Sequence, residues 1–379
     1  SWKKRNDVKT IYLDHNASCP IDKSVVAAME PYLKEHFGNP SSKHWAGQAA
    51  SQALAKARKE VASLLGAKES EIVFTSGGSE ANNLAIKGIF HKRKNQGKHI
   101  ITTAIEHPAV LEPYKYLQEK EGAKITIVGV DERGIVKLDE LKEAINSETI
   151  LISVMHANNE TGAIQPISEI GKLAQEKGIA FHSDAAQSVG KISVNVEELH
   201  VSLFSLAAHK FYGPKGVGAL FVKEGVELEP LIHGAAHEGG RRAGTENVLL
   251  NVGLGAAATL SMDLSWTEKV KSLREKLWAG LKKQFGEEII RNGLPELTLP
   301  NTLNCCIKDI RGGSLMAKMP EIAASSGSAC HSASIKVSPV LAAMGIGKDF
   351  GGGALRFSLG RSTTEEEIEL VLQLFKKRS

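Results

Sequence analysis

Ile72-Val73-Phe74-Thr75-Ser76-Gly77-Gly78-Ser79 is the stretch on which the fold turns. A short β-branched and aromatic run passes directly into small residues with two adjacent glycines, and helical periodicity follows from Asn82 to Lys92. A strand that turns at glycine into a helix is the repeating unit of a mostly parallel α/β sheet. Moving outward, the unit recurs. Strands are predicted at Ile100–Thr103, Ile125–Val128, Ile150–Met155, Ile179–His182, Val201–Leu206 and Gly218–Val222, with helices at Pro108–Lys120, Leu138–Ile145 and Ile167–Lys177. Upstream, apolar residues at helical spacing mark Val25 to Phe37 and Ala50 to Leu65.

The alternation ends after Val222. Trp266–Phe285 reads as one long polar-faced helix, followed by strand (Leu303–Ile307), strand (Ile322–Ser325), helix (Val337–Met344), strand (Leu355–Leu359) and helix (Glu366–Phe375). That change of order predicts a second, smaller α+β domain, with 16–260 forming the large domain and 1–15 with 261–379 the small one. Glycine and turn residues at Gly312–Pro320 and Gly347–Gly353 predict loops there, and a mobile functional loop around Cys330.

With 379 residues the chain exceeds the usual size of a single core, which agrees with two domains. Hydrophobic residues at 42% and charged residues at 24% are ordinary for a globular protein and exclude disorder. The formal charge of +4 is spread along the chain and makes no case for direct nucleic-acid binding; Lys376-Lys377-Arg378 reads as a solvated helix end. Cys19, Cys305, Cys306 and Cys330 form neither a disulfide framework nor a C-x-x-C pair, so a reducing, cytoplasmic setting without a metal site is expected. No apolar run approaches the roughly 20 residues that cross a bilayer, and Ser1-Trp2-Lys3-Lys4-Arg5 lacks the apolar centre of a secretory signal. Ser1 in place of methionine leaves open a removed organelle-targeting segment.

Three short segments carry chemistry. Ser76-Gly77-Gly78-Ser79 lets backbone approach an anion, and free N–H groups at a helix start bind phosphate; a glycine turn before a helix is common, so the segment alone does not specify one. Asp184, in His182-Ser183-Asp184-Ala185-Ala186-Gln187, emerges at a strand end, where its desolvation calls for a cationic or protonated partner such as a pyridinium nitrogen, or for the next turn to be capped. Lys210, in Ala208-His209-Lys210-Phe211, also closes a strand, and apolar surroundings would lower its pKa towards a nucleophilic amine. Together the three occupy strand ends, where open sheets bind ligands.

Thr75 to Asn83, Glu106-His107, His156 to Gly162, Asp184 to Gln187, His209-Lys210, Arg242 to Thr245 and Ser325 to Cys330 resemble, in order and spacing, the cysteine desulfurases of the class V aminotransferase fold, fold type I of the pyridoxal phosphate enzymes. His331 and the later Ser338-Pro339-Val340-Leu341 are more similar to the selenocysteine lyases. The resemblance implies pyridoxal 5'-phosphate on Lys210, Asp184 at the pyridine nitrogen, Gln187 at the phenolic oxygen and His107 stacked on the ring as a catalytic residue. It implies Gly78, Ser79 and His209 on the phosphate, with Thr245 reaching over from a second subunit of a homodimer. Asn159 would touch ring and substrate, Arg356 would clamp the substrate carboxylate, and Cys330 would receive sulfur from L-cysteine for an acceptor protein. L-selenocysteine is the alternative substrate. A transaminase, or a non-catalytic sulfur-transfer scaffold, are the further alternatives.

The chain departs from the desulfurase pattern at several positions. Ala207 replaces a usual hydroxyl residue, so one phosphate bond is expected to be missing, and Ser79 replaces threonine. His15 and Ser18-Cys19 replace tyrosine and two threonines, which predicts an altered pocket entrance, with Cys19 either a second reactive thiol or a buried inert one. Gly312–Pro320 is slightly short for the loop expected to carry Cys330.

Overall fold

A computed structural model describes residues 10–326 and 337–378. β1 (Ile11–Tyr12), α1 (Lys23–Lys34) and α2 (Trp45–Leu65) come first. The strand and helix units follow as β2 (Ile72–Thr75), α3 (Gly78–Arg93), β3 (His99–Thr103), α4 (Pro108–Glu121), β4 (Lys124–Val128), α5 (Leu138–Ala144), β5 (Thr149–Ser153), α6 (Ile167–Glu176), β6 (Ala180–Asp184), β7 (Leu203–Ala207) and β8 (Gly218–Val222). Next come α7 (Val248–Ser261), α8 (Trp266–Phe285), β9 (Ile289–Arg291), β10 (Thr302–Ile307), α9 (Gly312–Ala317), β11 (Ile322–Ala323), β12 (Ser325–Ser326), α10 (Pro339–Ala343), α11 (Lys348–Gly351), β13 (Ala354–Ser358) and α12 (Glu365–Arg378).

Among the described residues the main sheet has seven strands in the order β2-β8-β7-β6-β5-β3-β4. β8 runs antiparallel to both its neighbours and the other pairings are parallel. The carboxyl ends of β2, β6 and β7 therefore open on one edge. Alternate side chains enter different cores: Ile72 and Phe74 pack with α2, α6 and α7, whereas Val73 packs with α3 and α4. Burial on both faces is why these strands read as continuous apolar runs. β4, at the sheet edge, is instead partly exposed.

A second sheet, β12-β13-β10-β9, is antiparallel and shares a separate core with α8 and α12. The strand expected at Ile322–Ser325 is divided: β11 pairs with β1, and β12 pairs with β13. The glycine-rich segments expected to be loops contain α9 and α11. Gly312 is there for close approach rather than for a turn, since a Cβ on it would stand 2.5 Å from the Ala354 carbonyl oxygen. α7 carries no polar stripe and so has no helical period to read. It wedges against α1 and α2, and a Cβ at Gly253 would meet Met29 Sδ at 2.6 Å.

Candidate active site

Asp184 is the last residue of β6, and its carboxylate is buried. Asn82 Nδ2, from the second turn of α3, donates to Oδ2 at 2.8 Å, and the Ala186 N–H donates to Oδ1 at 2.9 Å. Two fixed donors hold an acceptor-only group facing the cavity. Lys210 ends the 3-10 turn that follows β7, and its Nζ donates to the Asn16 and Ala17 carbonyl oxygens at 2.7 and 3.0 Å. Both partners are neutral. Burial, foremost, and the Arg356 guanidinium hold this amine below its ordinary pKa, with Asp184 acting in the opposite sense.

At the other wall, α3 begins at Gly78 straight after the turn at Gly77, so N–H groups in its first turn lack intrahelical partners and point outward. A Cβ on Gly78 would come within 3.2 Å of the Ala207 methyl, so both small residues keep this wall open. His209 is pushed down to about 4 by burial and by Lys210 and Lys215, which makes it a neutral ring; its Nδ1 lies 3.3 Å from Ser18 Oγ. His107 caps α4 by accepting the Ala109 N–H at Nδ1, 3.1 Å away, so the proton of the neutral ring sits on Nε2. Burial, chiefly, lowers its pKa.

Arg356, on β13, reaches across from the second sheet. Nη2 donates to Asp14 Oδ1 at 2.7 Å and Ser325 Oγ at 2.8 Å, and Nη1 donates to the Asn159 carbonyl at 2.9 Å. Gly78, Ser79, His107, Asn159, Asp184, Gln187, His209, Lys210 and Arg356 all line one cavity of about 390 Å³. Thr245 does not line it; it is exposed beyond Arg242, which pairs with Glu80 on α3 at 2.8 Å. Cys330 and His331 lie outside the described residues.

His15 lines a different cavity, with Ser18 and Cys19. Cys19 is buried, its Sγ donates to the Lys210 carbonyl at 3.3 Å, and burial raises its pKa, which favours the thiol over the reactive thiolate. Sequence reasoning missed Asn16, Asn82, Asp14 and Lys191. Asn16 is the hub of the site. Its carbonyl also accepts from Gln187 Nε2 at 2.9 Å, and its side chain donates to Thr302 Oγ1 on β10 at 2.8 Å. The one available signal was a run of polar residues, Asp14-His15-Asn16, directly after an apolar strand.

Residues 11–371 match the family described as aminotransferase class-V. The chain belongs to this family. A cysteine desulfurase IscS of Dictyoglomus turgidum (strain DSM 6724 / Z-1310) is 46% identical over 374 residues, covering 97% of this chain and 94% of that protein. Among solved structures, a NifS-like protein superposes with a TM-score of 0.91 at 38% identity, over 97% of this chain and 98% of its own. SspA in complex with cysteine gives 0.83 at 37%, over 94% and 100%. Class-V aminotransferases depend on pyridoxal 5'-phosphate, and it is the cofactor of this chain. The donor set fits that group: a carbonyl-bonded amine, a buried carboxylate and an unpaired helix N-terminus border one space.

Proposed function

We propose that the chain is a cysteine desulfurase that converts L-cysteine to L-alanine while the thiol of Cys330 takes the sulfur as a persulfide. The observation that carries this reading is the shared cavity of Lys210, Asp184 and Arg356, an amine with neutral partners between a buried carboxylate and a guanidinium. Cysteine and one enzyme thiol give alanine and one enzyme persulfide, so atoms and electrons balance without an outside oxidant.

Pyridoxal phosphate, when bound, supplies an electron sink for charge at the substrate α-carbon. Lys210 Nζ would hold it covalently and, once released, would move the α-proton. Asp184 would keep a proton on the pyridine nitrogen. Its grip by Asn82 and Ala186 suits that task, because two donors on its oxygens fix its aim. Gly78, Ser79 and His209 would take the phosphate, His107 the ring face and Gln187 the phenolic oxygen. Ala207 contributes no hydroxyl there. Arg356 would receive the substrate carboxylate beside Asn159, exchanging its bond to Asp14 for a bidentate pair. Cys330 would attack the substrate sulfur as thiolate and hand the cargo to an acceptor protein.

A homodimer belongs to this reading. Phe37 and Trp45, which lie at the connection between α1 and α2, are 84% and 77% exposed and are the side chains this reading would cover, and Thr245 stands away from its own cavity. The testing experiment compares turnover of L-cysteine and L-selenocysteine by wild type and Cys330→Ala. Wild type should form alanine from cysteine, and the variant should lose sulfur release from cysteine. Undiminished release by the variant would reject the persulfide step.

A further inference from the structure

Lys191 lies four residues beyond Gln187 and is 4% exposed, in the turns that follow β6. Its Nζ donates to Gln187 Oε1 at 2.7 Å and to Asn16 Oδ1 at 3.0 Å. Lys191 is the donor in this contact, so Gln187 presents its carbonyl end to it. The NH2 end is then left for the cavity side. One of its hydrogens goes to the Asn16 carbonyl, 2.9 Å away, and the second is free. Lys191 and the Asn16 carbonyl thus hold the amide in the same sense, and without Lys191 only the Asn16 contact resists a rotation that exchanges donor for acceptor at the cavity.

We propose that Lys191 is a positioning residue: by bonding the carbonyl of Gln187 it aims the amide N–H at the cofactor's phenolic oxygen, and so lowers the proton affinity of the Lys210-linked chromophore. This rests on the cofactor placement given under Proposed function. A donor on the phenolic oxygen withdraws electron density from the hydrogen-bonded nitrogen next to it, which therefore releases its proton more easily. Burial brings the Lys191 amine down to about 7, with Lys210 and Arg356 pressing the same way and the Cys19 thiol opposing them. A lysine left between two amide oxygens is a poor structural ion pair. Its geometry is better explained by the orientation it imposes.

The test is a spectrophotometric pH titration of the intact protein loaded with pyridoxal phosphate, without substrate, in wild type, Lys191→Met, Gln187→Ala and the double variant. Methionine keeps the unbranched shape and removes the donors. Each single variant should raise the chromophore's midpoint by about half a pH unit or more, the size of one lost hydrogen bond. The double variant should shift no further than the larger single one, because both act through one amide. An unchanged midpoint in Lys191→Met would overturn the proposal, as would full additivity. Should Lys191→Met fail to fold or to take up cofactor, Lys191→Leu, which also carries no donor, is read instead, with the same expected direction and the same contrary result. Absence of any chromophore in wild type would instead strike the cofactor placement itself.

Discussion

Asp184 shows how much of the site depends on single side-chain contacts. Its two donors are fixed at 2.8 and 2.9 Å, and replacing Asn82 by alanine strips one of them from a buried carboxylate. A loss of about 1–3 kcal/mol is expected in denaturant unfolding of Asn82→Ala. Asp184→Asn keeps the shape and removes the charge, and cysteine turnover should fall by about 10²-fold or more in steady-state kinetics. The cavity residues were legible in the sequence because each sits in a compact local motif at a strand end: Gly78 and Ser79, Asp184 and Gln187, His209 and Lys210. Their supporting contacts were not. Asn82 meets Asp184 across 102 positions, Asn16 meets Gln187 across 171 and Asp14 meets Arg356 across 342, and no local pattern encodes such pairs.

Two buried groups, one just after β3 and one on β6, respond to pH in opposite senses. Glu106, after β3, accepts from the Met155 N–H and Thr103 Oγ1, both at 2.8 Å, and burial pushes its carboxyl up to about 8. The folded chain keeps a proton there that the unfolded chain gives up near 4.5, so this contribution to stability is lost as pH rises from that value through about 8. Glu106→Gln should therefore melt higher than wild type at alkaline pH and close to it at mildly acidic pH, as thermal scans would show. His182, on β6, lies between Ser153 Oγ on β5 at 2.8 Å and Ser205 Oγ on β7 at 2.9 Å, and burial takes it down to about 3. The unfolded ring takes a proton near 6.5, so here stability is lost as pH falls from 6.5 towards 3. Elements such as β6 and β7 were readable from apolar runs, and α8 from its polar-faced period. α7 was not, because a helix buried on nearly every side carries no stripe, and the glycines near Ala354 looked like turn punctuation when they serve close packing.

At the scale of the molecule, the cavity is formed where the main sheet, the Asp14–Ala17 segment and Arg356 from the second sheet meet. The exposed Phe37 and Trp45, between the end of α1 and the start of α2, are the surface proposed for the second subunit. Sedimentation should give the mass of two chains for wild type and of one chain for the Phe37→Lys, Trp45→Lys double variant; a monomeric wild type would reject the homodimer. The chemistry of the whole rests on one covalent tether. The most direct measurement is borohydride reduction of the protein loaded with pyridoxal phosphate, followed by peptide mass mapping. A single phosphopyridoxyl group on the peptide containing Lys210, absent from Lys210→Ala, is the predicted result, and a label on another lysine, or no label at all, would contradict the account.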